Sequence, residues 1–379
     1  MTRRSKLELL EALRPRYGKV GKKAKGRMLD EFCAATRYNR KYAIQLLRHG
    51  PPRSKKSKPG RRPRYGRDVI AALAEVWQAS GHICGKRLHP FLPELVEALE
   101  RHGELRLAPE VKNKLLQMCR ATIDRRLQRA RSTLPLRGRT TTRPGSLLKS
   151  AIPIRTFADW DDARPGFLEI DLVAHCGETT AGEYLHTLSA VDIDTRWYEP
   201  VALPNRSQKA TFEGIRTLRH RLPFPLLGLD SDGGGEFINY HLYHYCQEEQ
   251  ITFTRSRPFK KNDQAYVEQK NWTPVRQTIG YERYDSHQAL ALLQSIYQDL
   301  RLFVNFFQPV MKLQSKVRLG SKVRKKYDQA QTPYRNVMAS DLVEQSVKQE
   351  LTEVYLSLNP VDLRRRIDAT LARLWKLPR

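Results

Sequence analysis

The chain has 379 residues, with 68 Lys and Arg against 40 Asp and Glu, a formal charge of +28, and 40% hydrophobic residues. That length implies two to four domains, and the apolar share suffices for at least one sizeable core, which excludes a wholly disordered chain. The run Leu222 to Leu229 carries two prolines and is far shorter than the ~20 residues that span a bilayer, so no transmembrane helix is expected.

The charge is unevenly placed: residues 1–150 carry +25, residues 151–310 carry −5 and residues 311–379 carry +8. A mildly acidic middle between basic arms points to a module whose acids do chemistry, flanked by parts that grip a polyanion, with nucleic acid the leading partner. A merely solvated basic surface is the bland alternative. The start, Met1-Thr2-Arg3-Arg4-Ser5-Lys6, leads into a charged amphipathic stretch rather than an apolar signal core. Five cysteines (33, 84, 119, 176, 246) lack any CxxC pair, which suits a reducing cytosol. A cytoplasmic location is expected.

Within 1–50, Leu29, Phe32 and Cys33 have helical spacing, Thr36-Arg37-Tyr38 breaks it, and a second helix follows from Asn39 as N-cap. Ala43, Leu46 and Leu47 form its inner face, while Lys41, Gln45 and Arg48 line the other, with Arg37 and Arg40 nearby. This is helix-turn-helix spacing, with an ordinary helical hairpin as the alternative. In the segment 51–67 eight of seventeen residues are basic and none is acidic, so it builds no core. Its Gly60-Arg61-Arg62-Pro63-Arg64 is similar to a minor-groove arm, and a plain linker is the competing reading. A second helical unit spans 68–131: Pro109 opens a helix through Leu115, Leu116 and Met118, and another follows with Arg125, Arg126, Gln128 and Arg129 outward. His82, Cys84 and His89 lack a second ligand pair, and no structural zinc is expected there. A basic linker then covers 132–164.

From Pro165 the pattern changes to strands: Gly166 to His175, Glu183 to Asp192 and Arg196 to Leu203, joined by short turns as an antiparallel meander. A helix from Ser207, a short strand at Leu226 to Leu229, a helix at Tyr240 to Glu248, a strand at Ile251 to Thr254 and a helix at Glu268 to Ile279 complete the order βββαβαβα. That order is the ribonuclease-H-like one, in an α/β domain spanning 165–310, although other α/β folds share it.

Asp171 lies inside an apolar first strand, on the face opposite Ile170 and Leu172, where an unpaired carboxylate is expensive. Asp232 follows the fourth strand in Asp230-Ser231-Asp232-Gly233-Gly234-Gly235-Glu236-Phe237, whose glycines are expected to turn the backbone sharply and leave room for a bulky substrate. Glu268 stands near Asn271, with 35 residues between it and Asp232. These elements resemble the DDE catalytic core of retroviral integrases and bacterial insertion-sequence transposases. In that family an Asp on the first strand is followed by Ser/Thr-Asp-x-Gly-x-x-Phe after the fourth, and by a Glu about 35 residues later. The match covers about 165–310, and the helix-turn-helix units resemble the amino-terminal domains of such transposases. No His/His/Cys/Cys zinc module is visible, which favours a bacterial mobile element over a virus.

The resemblance implies Asp171, Asp232 and Glu268 as catalytic residues holding two Mg²⁺ or Mn²⁺ ions, which suit hard oxygen ligands. Two bare carboxylates ~4 Å apart repel by roughly 4 kcal/mol at an effective dielectric of 20, so such a cluster makes sense with cations. It further implies cleavage of element ends and strand transfer into target DNA by a homo-oligomer on double-stranded DNA, and a place at the bacterial nucleoid. Asn271 matches a DNA-facing family position. The alternative is a catalytically silent DNA-binding regulator; an RNA-cleaving nuclease of the same fold is the weaker third reading.

Among competing acids, Asp230 lacks the Gly and Phe spacing, Asp192 and Asp194 read as turn residues, and Asp263 as a loop acid. Lys260, Lys261, Lys270 and Arg276 are candidate phosphate contacts or a solvated face. The stripe Ala289, Leu292, Leu293, Ile296, Leu300, Phe303, Val304 and Phe307 predicts a helix packed into the core rather than a dimer seam. The region 311–379 is basic and mostly helical. Within it Lys312 to Lys326 holds seven basic residues and no acid, as a DNA-binding strap would.

Overall fold

A computed structural model of the chain describes residues 1–51, 64–132, 164–256 and 264–378. The groove arm read at Gly60 to Arg64, apart from Arg64 itself, most of the 132–164 linker, and Lys260, Lys261 and Asp263 lie outside the described residues. So does the side chain of Arg129. The chain divides into two compact units, Met1–Arg64 and Tyr65–Arg379.

The first unit holds α1 (Arg3–Lys19), α2 (Lys22–Thr36) and α3 (Arg40–His49) around a core of Leu10, Tyr17, Leu29, Phe32, Ala43, Leu46 and Leu47. Arg37 ends α2 in the left-handed region at φ 58°, and the Asn39 side chain accepts from the Lys41 N–H at 3.0 Å to start α3. Burying Ala43, Leu46 and Leu47 turns Lys41, Gln45 and Arg48 to solvent, as the spacing predicts. Arg37 and Arg40 are also exposed, Arg40 being paired with Asp30.

In the second unit, α4 (Arg67–Ala79), α5 (Gly85–Arg101), α6 (Pro109–Leu116) and α7 (Arg120–Ser132) come first. The residues Val69, Leu73 and Val76 of α4 and Leu88, Leu92 and Leu95 of α5 join the same apolar core as the carboxy-terminal helices. Residues 65–132 therefore belong to the unit that carries the sheet. Arg125 and Arg126 face solvent on α7.

The sheet contains β1 (Phe167–Ala174), β2 (His186–Asp192), β3 (Tyr198–Leu203), β4 (Gly228–Ser231) and β5 (Thr252–Arg255) in the order β3-β2-β1-β4-β5. β1 is antiparallel to β2 and parallel to β4, while β3 continues the antiparallel side and β5 the parallel one. With α8 (Gln208–Arg219) before β4 and α9 (Tyr240–Glu248) before β5, this is a ribonuclease-H-like fold in a mixed α/β chain with a helical amino-terminal region. Period two divides the sheet residues between its faces. Leu168, Ile170, Leu172, Leu188 and Ala190 pack with Ile215 and Leu218 of α8, and Val173, Val191, Tyr198 and Ala202 belong to the core on the other side.

The expected helix at Glu268 to Ile279 begins earlier and is broken. It runs as α10 (Ala265–Lys270), a π-helical segment Asn271–Arg276 and α11 (Gln277–Ile279). Pro274 falls inside the π segment. Its ring would clash with the carbonyl four residues back in a regular α-helix, and a wider turn accommodates it. α12 (His287–Phe307), capped by Ser286, buries every residue of the predicted stripe and packs against α15 (Pro360–Leu374) and β3. Between them lie β6 (Leu313–Leu319), β7 (Lys322–Tyr327), α13 (Pro333–Ala339) and α14 (Gln345–Ser357). The basic strap is thus a two-stranded antiparallel hairpin.

Candidate active site

Parallel pairing of β1 with β4 brings the first two sequence candidates together. Asp171 lies one residue past Ile170, which pairs with Ser231, and Asp232 directly follows Ser231 at the carboxyl end of β4. Both line a cleft of about 2400 Å³ at this end of the sheet. Glu268 stands on α10 and is exposed, outside the cleft lining. Its charge still reaches Asp171: the Asp171 carboxyl is pushed up to about 8 by burial first, then by Asp232, with Glu268 and Glu236 adding to it. The Leu172 N–H, 2.7 Å from Asp171 Oδ1, partly offsets the rise.

Glu236 escaped the sequence reading. It occupied a variable position of the motif four residues after Asp232, and only the local fold sends it back toward that carboxylate. It is half-buried and lines the cleft, and burial followed by Asp232 raises its pKa. The backbone turns at the glycine run as expected, the Gly234 carbonyl accepting from the Phe237 N–H at 3.2 Å and the Ile238 N–H at 2.9 Å, but it does so without left-handed backbone. None of Gly233, Gly234 and Gly235 has positive φ. A Cβ on Gly234 would lie 2.7 Å from Glu236 Cδ and 2.9 Å from Asp232 Oδ1, so the missing side chain admits two carboxylates. The Gly234 N–H also donates to Asp232 Oδ1 at 2.9 Å.

Asn271 is half-buried, and its Nδ2 donates to Asp171 Oδ2 at 2.7 Å. The amide expected to face DNA is therefore engaged with the central acid, and its Oδ1 is buried without a hydrogen-bond partner among the described residues. Glu169, two residues before Asp171, is fully buried; its Oε2 accepts from the Tyr266 N–H at 2.9 Å and the Val267 N–H at 2.8 Å. It thereby ties the first turn of α10, and with it Glu268, to β1. Its carboxyl is pushed up to about 8, mainly by burial. Asp230 is buried in β4, where its Oδ1 accepts from Thr254 Oγ1 at 2.6 Å. Asp192, the last residue of β2, is buried and accepts from Thr195 and from the Gly166 N–H, while Asp194 lies in the turn that follows and pairs with Lys312 at 3.0 Å.

Cations surround the acids. Arg87, Arg206, Lys270 and Arg276 line the same cleft. Lys270 is buried rather than solvated, and burial, with Arg87 and Arg196 next, pulls its pKa down to about 7. Arg276 is half-buried and donates to the Ala174 carbonyl at 2.8 Å.

The donor set fits a hard divalent cation in kind: the carboxylates of Asp171 and Asp232 share the cleft, with Asp171 held far above its ordinary value by burial first and by its acidic neighbours after that. In spacing they are open, because among the described residues no three His, Cys, Asp or Glu side chains stand close enough to share one ion.

No protein-family model matches the chain. The uncharacterized protein y4rM of Sinorhizobium fredii is 41% identical over 328 residues, which span 85% of this chain and 92% of that protein. A solved structure, the catalytic core domain of BIV integrase in crystal form I, aligns with 45% of this chain and 91% of its own at 17% identity and a TM-score of 0.29. The fold assignment stands on the strand order and register.

Proposed function

We propose that this chain, which belongs to the same family as the Sinorhizobium fredii protein y4rM, is a transposase that cleaves the ends of a mobile DNA element and joins them to target DNA. One observation carries the reading. Asp171 and Asp232 meet in a cation-lined cleft, where burial first and then Asp232, with smaller additions from Glu268 and Glu236, push the Asp171 carboxyl up to about 8. Such a site combines a concentrated negative charge with cations suited to a phosphodiester.

Asp171, Asp232 and Glu268 would hold Mg²⁺ or Mn²⁺, which when bound neutralise charge developing at phosphorus. Asn271 orients Asp171 through its amide. Lys270, Arg276 and Arg206 supply positive charge to phosphates entering the cleft, and Gly234 lets Asp232 and Glu236 approach each other. The exposed Lys41, Gln45 and Arg48 of α3 present a face suited to duplex DNA. Assembly as a homo-oligomer on DNA belongs to the same proposal.

The test is a strand-transfer assay on DNA carrying the element ends, with Mg²⁺ or Mn²⁺. Asp232→Asn is expected to lower strand transfer by at least ~10³-fold, the scale of losing a group essential to transition-state charge stabilisation, while duplex binding stays near wild type. Activity surviving the substitution overturns the site, and wild-type binding without any cleavage favours a silent regulator.

A further inference from the structure

We propose that the β6–β7 hairpin is a DNA-gripping ribbon that lies in the major groove of duplex leaving the catalytic cleft. This rests on the reading that the chain acts on DNA and adds to it a second contact surface, apart from the helical units.

The hairpin has little reason to exist as a folding element. From Val317 to Lys326 the described side chains are exposed, with Val317 at 51% and Val323 at 46% exposure. A two-stranded ribbon wet on both faces buries no core and is marginal by itself. From Lys312 to Lys326 it contains seven basic residues and no acidic one, so its own charges oppose its compactness. A polyanion removes that penalty.

Register shows how the charge is presented. Arg318 pairs with Val323 and Val317 with Arg324, and directly paired residues share a face. Arg318 and Lys325 therefore lie on one face beside Val323. Lys322, Arg324 and Lys326 lie on the other beside Val317. Each face offers cations to phosphate and one branched apolar group to a groove floor. β7 has six residues, roughly 20 Å at strand rise, and the major groove admits a two-stranded ribbon.

The root of the ribbon is fixed beside residues that line the cleft. Gln308, Pro309 and Val310 line the cleft, and β6 starts at Leu313. Val310 bridges to Gln331, the Lys312 N–H donates to Asp328 Oδ1 at 2.6 Å, and Lys86 sits over the Tyr327 ring at 4.8 Å. A pinned base and a solvated charged tip make an arm whose direction is set by the domain that holds the acids.

The experiment uses the full chain and a quadruple variant, Arg318→Gln, Lys322→Gln, Arg324→Gln and Lys325→Gln, with duplex binding followed by fluorescence anisotropy across NaCl concentrations. The variant is expected to keep the wild-type melting temperature and to lose about 3–4 from the slope of log K against log salt, at ~0.9 per phosphate contact. Methyl green, a major-groove ligand, is expected to compete more strongly against the wild type than against the variant. An unchanged slope overturns the hairpin contact, and equal competition by methyl green overturns groove insertion. A variant that binds DNA as wild type but changes its mass by light scattering assigns the ribbon to a protein partner instead. Failure of the wild type itself to bind duplex sinks the broader DNA reading, an outcome distinct from all of these.

Discussion

Glu169 and Asp171 point the same way from one strand, yet only Asp171 reaches the cleft; Glu169 is spent on two backbone N–H groups of α10. A carboxyl held near 8 in the fold and near 4.5 when unfolded keeps a proton that the unfolded chain releases across that window. Stability contributed by this group is therefore greatest below pH 4.5 and falls as pH rises toward 8. Glu169→Gln keeps an acceptor for the helix N–H groups and removes the titration. Its melting temperature, measured in a metal chelator, is expected to match wild type near pH 4.5 and to exceed it increasingly up to pH 8. A constant difference across that range would contradict the assignment. The sequence made Asp171, Asp232 and Glu268 visible because spacing along the chain carries them. Glu169 and Glu236 were not legible, since their roles come from partners 97 and 98 residues away and from a local fold-back.

At the scale of elements, local signals fixed most starts. Asn39, Ser207 and Ser286 each cap the helix predicted to follow them, because a side-chain oxygen two or three residues before an orphan N–H is a purely local fit. Asn39→Ala is expected to lower the stability of the amino-terminal unit by about 1 kcal/mol in urea unfolding, with Asn39→Asp close to wild type. Loss of the same size in both variants would place the effect elsewhere. The interruption at Pro274 and the hairpin at Lys312 to Lys326 were read less well. A continuous helix was expected across the proline, and charge density concealed a strand pairing set by cross-strand hydrogen bonds.

For the whole molecule, the placement of charge is the measurable quantity. Residues 1–64 carry 21 basic and 4 acidic side chains, a large part of the excess. Duplex binding by the full chain is expected to weaken steeply between 50 and 200 mM salt, and deleting residues 1–64 should reduce the slope of log K against log salt by several units. A salt-insensitive affinity, or a slope unaltered by the deletion, would contradict this account of the arm. The second helical segment illustrates a limit of linear reading. Expected as a domain of its own at 68–131, it shares its core with α12 and α15, more than 150 residues later in sequence.

The sequence alone determined the order of strands and helices from β1 to β5, the Asn39 cap, the core stripe of α12 and the family-like spacing of Asp171, Asp232 and Glu268, all of which depend on periodicity or on distance along the chain. Tertiary structure decided what shares the cleft: Glu236 beside Asp232, Asn271 on Asp171, a buried Lys270, and a basic ribbon that starts just after cleft-lining residues. Those relations follow from parallel pairing and burial. Both join residues far apart in sequence, and the desolvation that shifts the Asp171 and Lys270 ionisations exists only once the sheet and helices have closed around them.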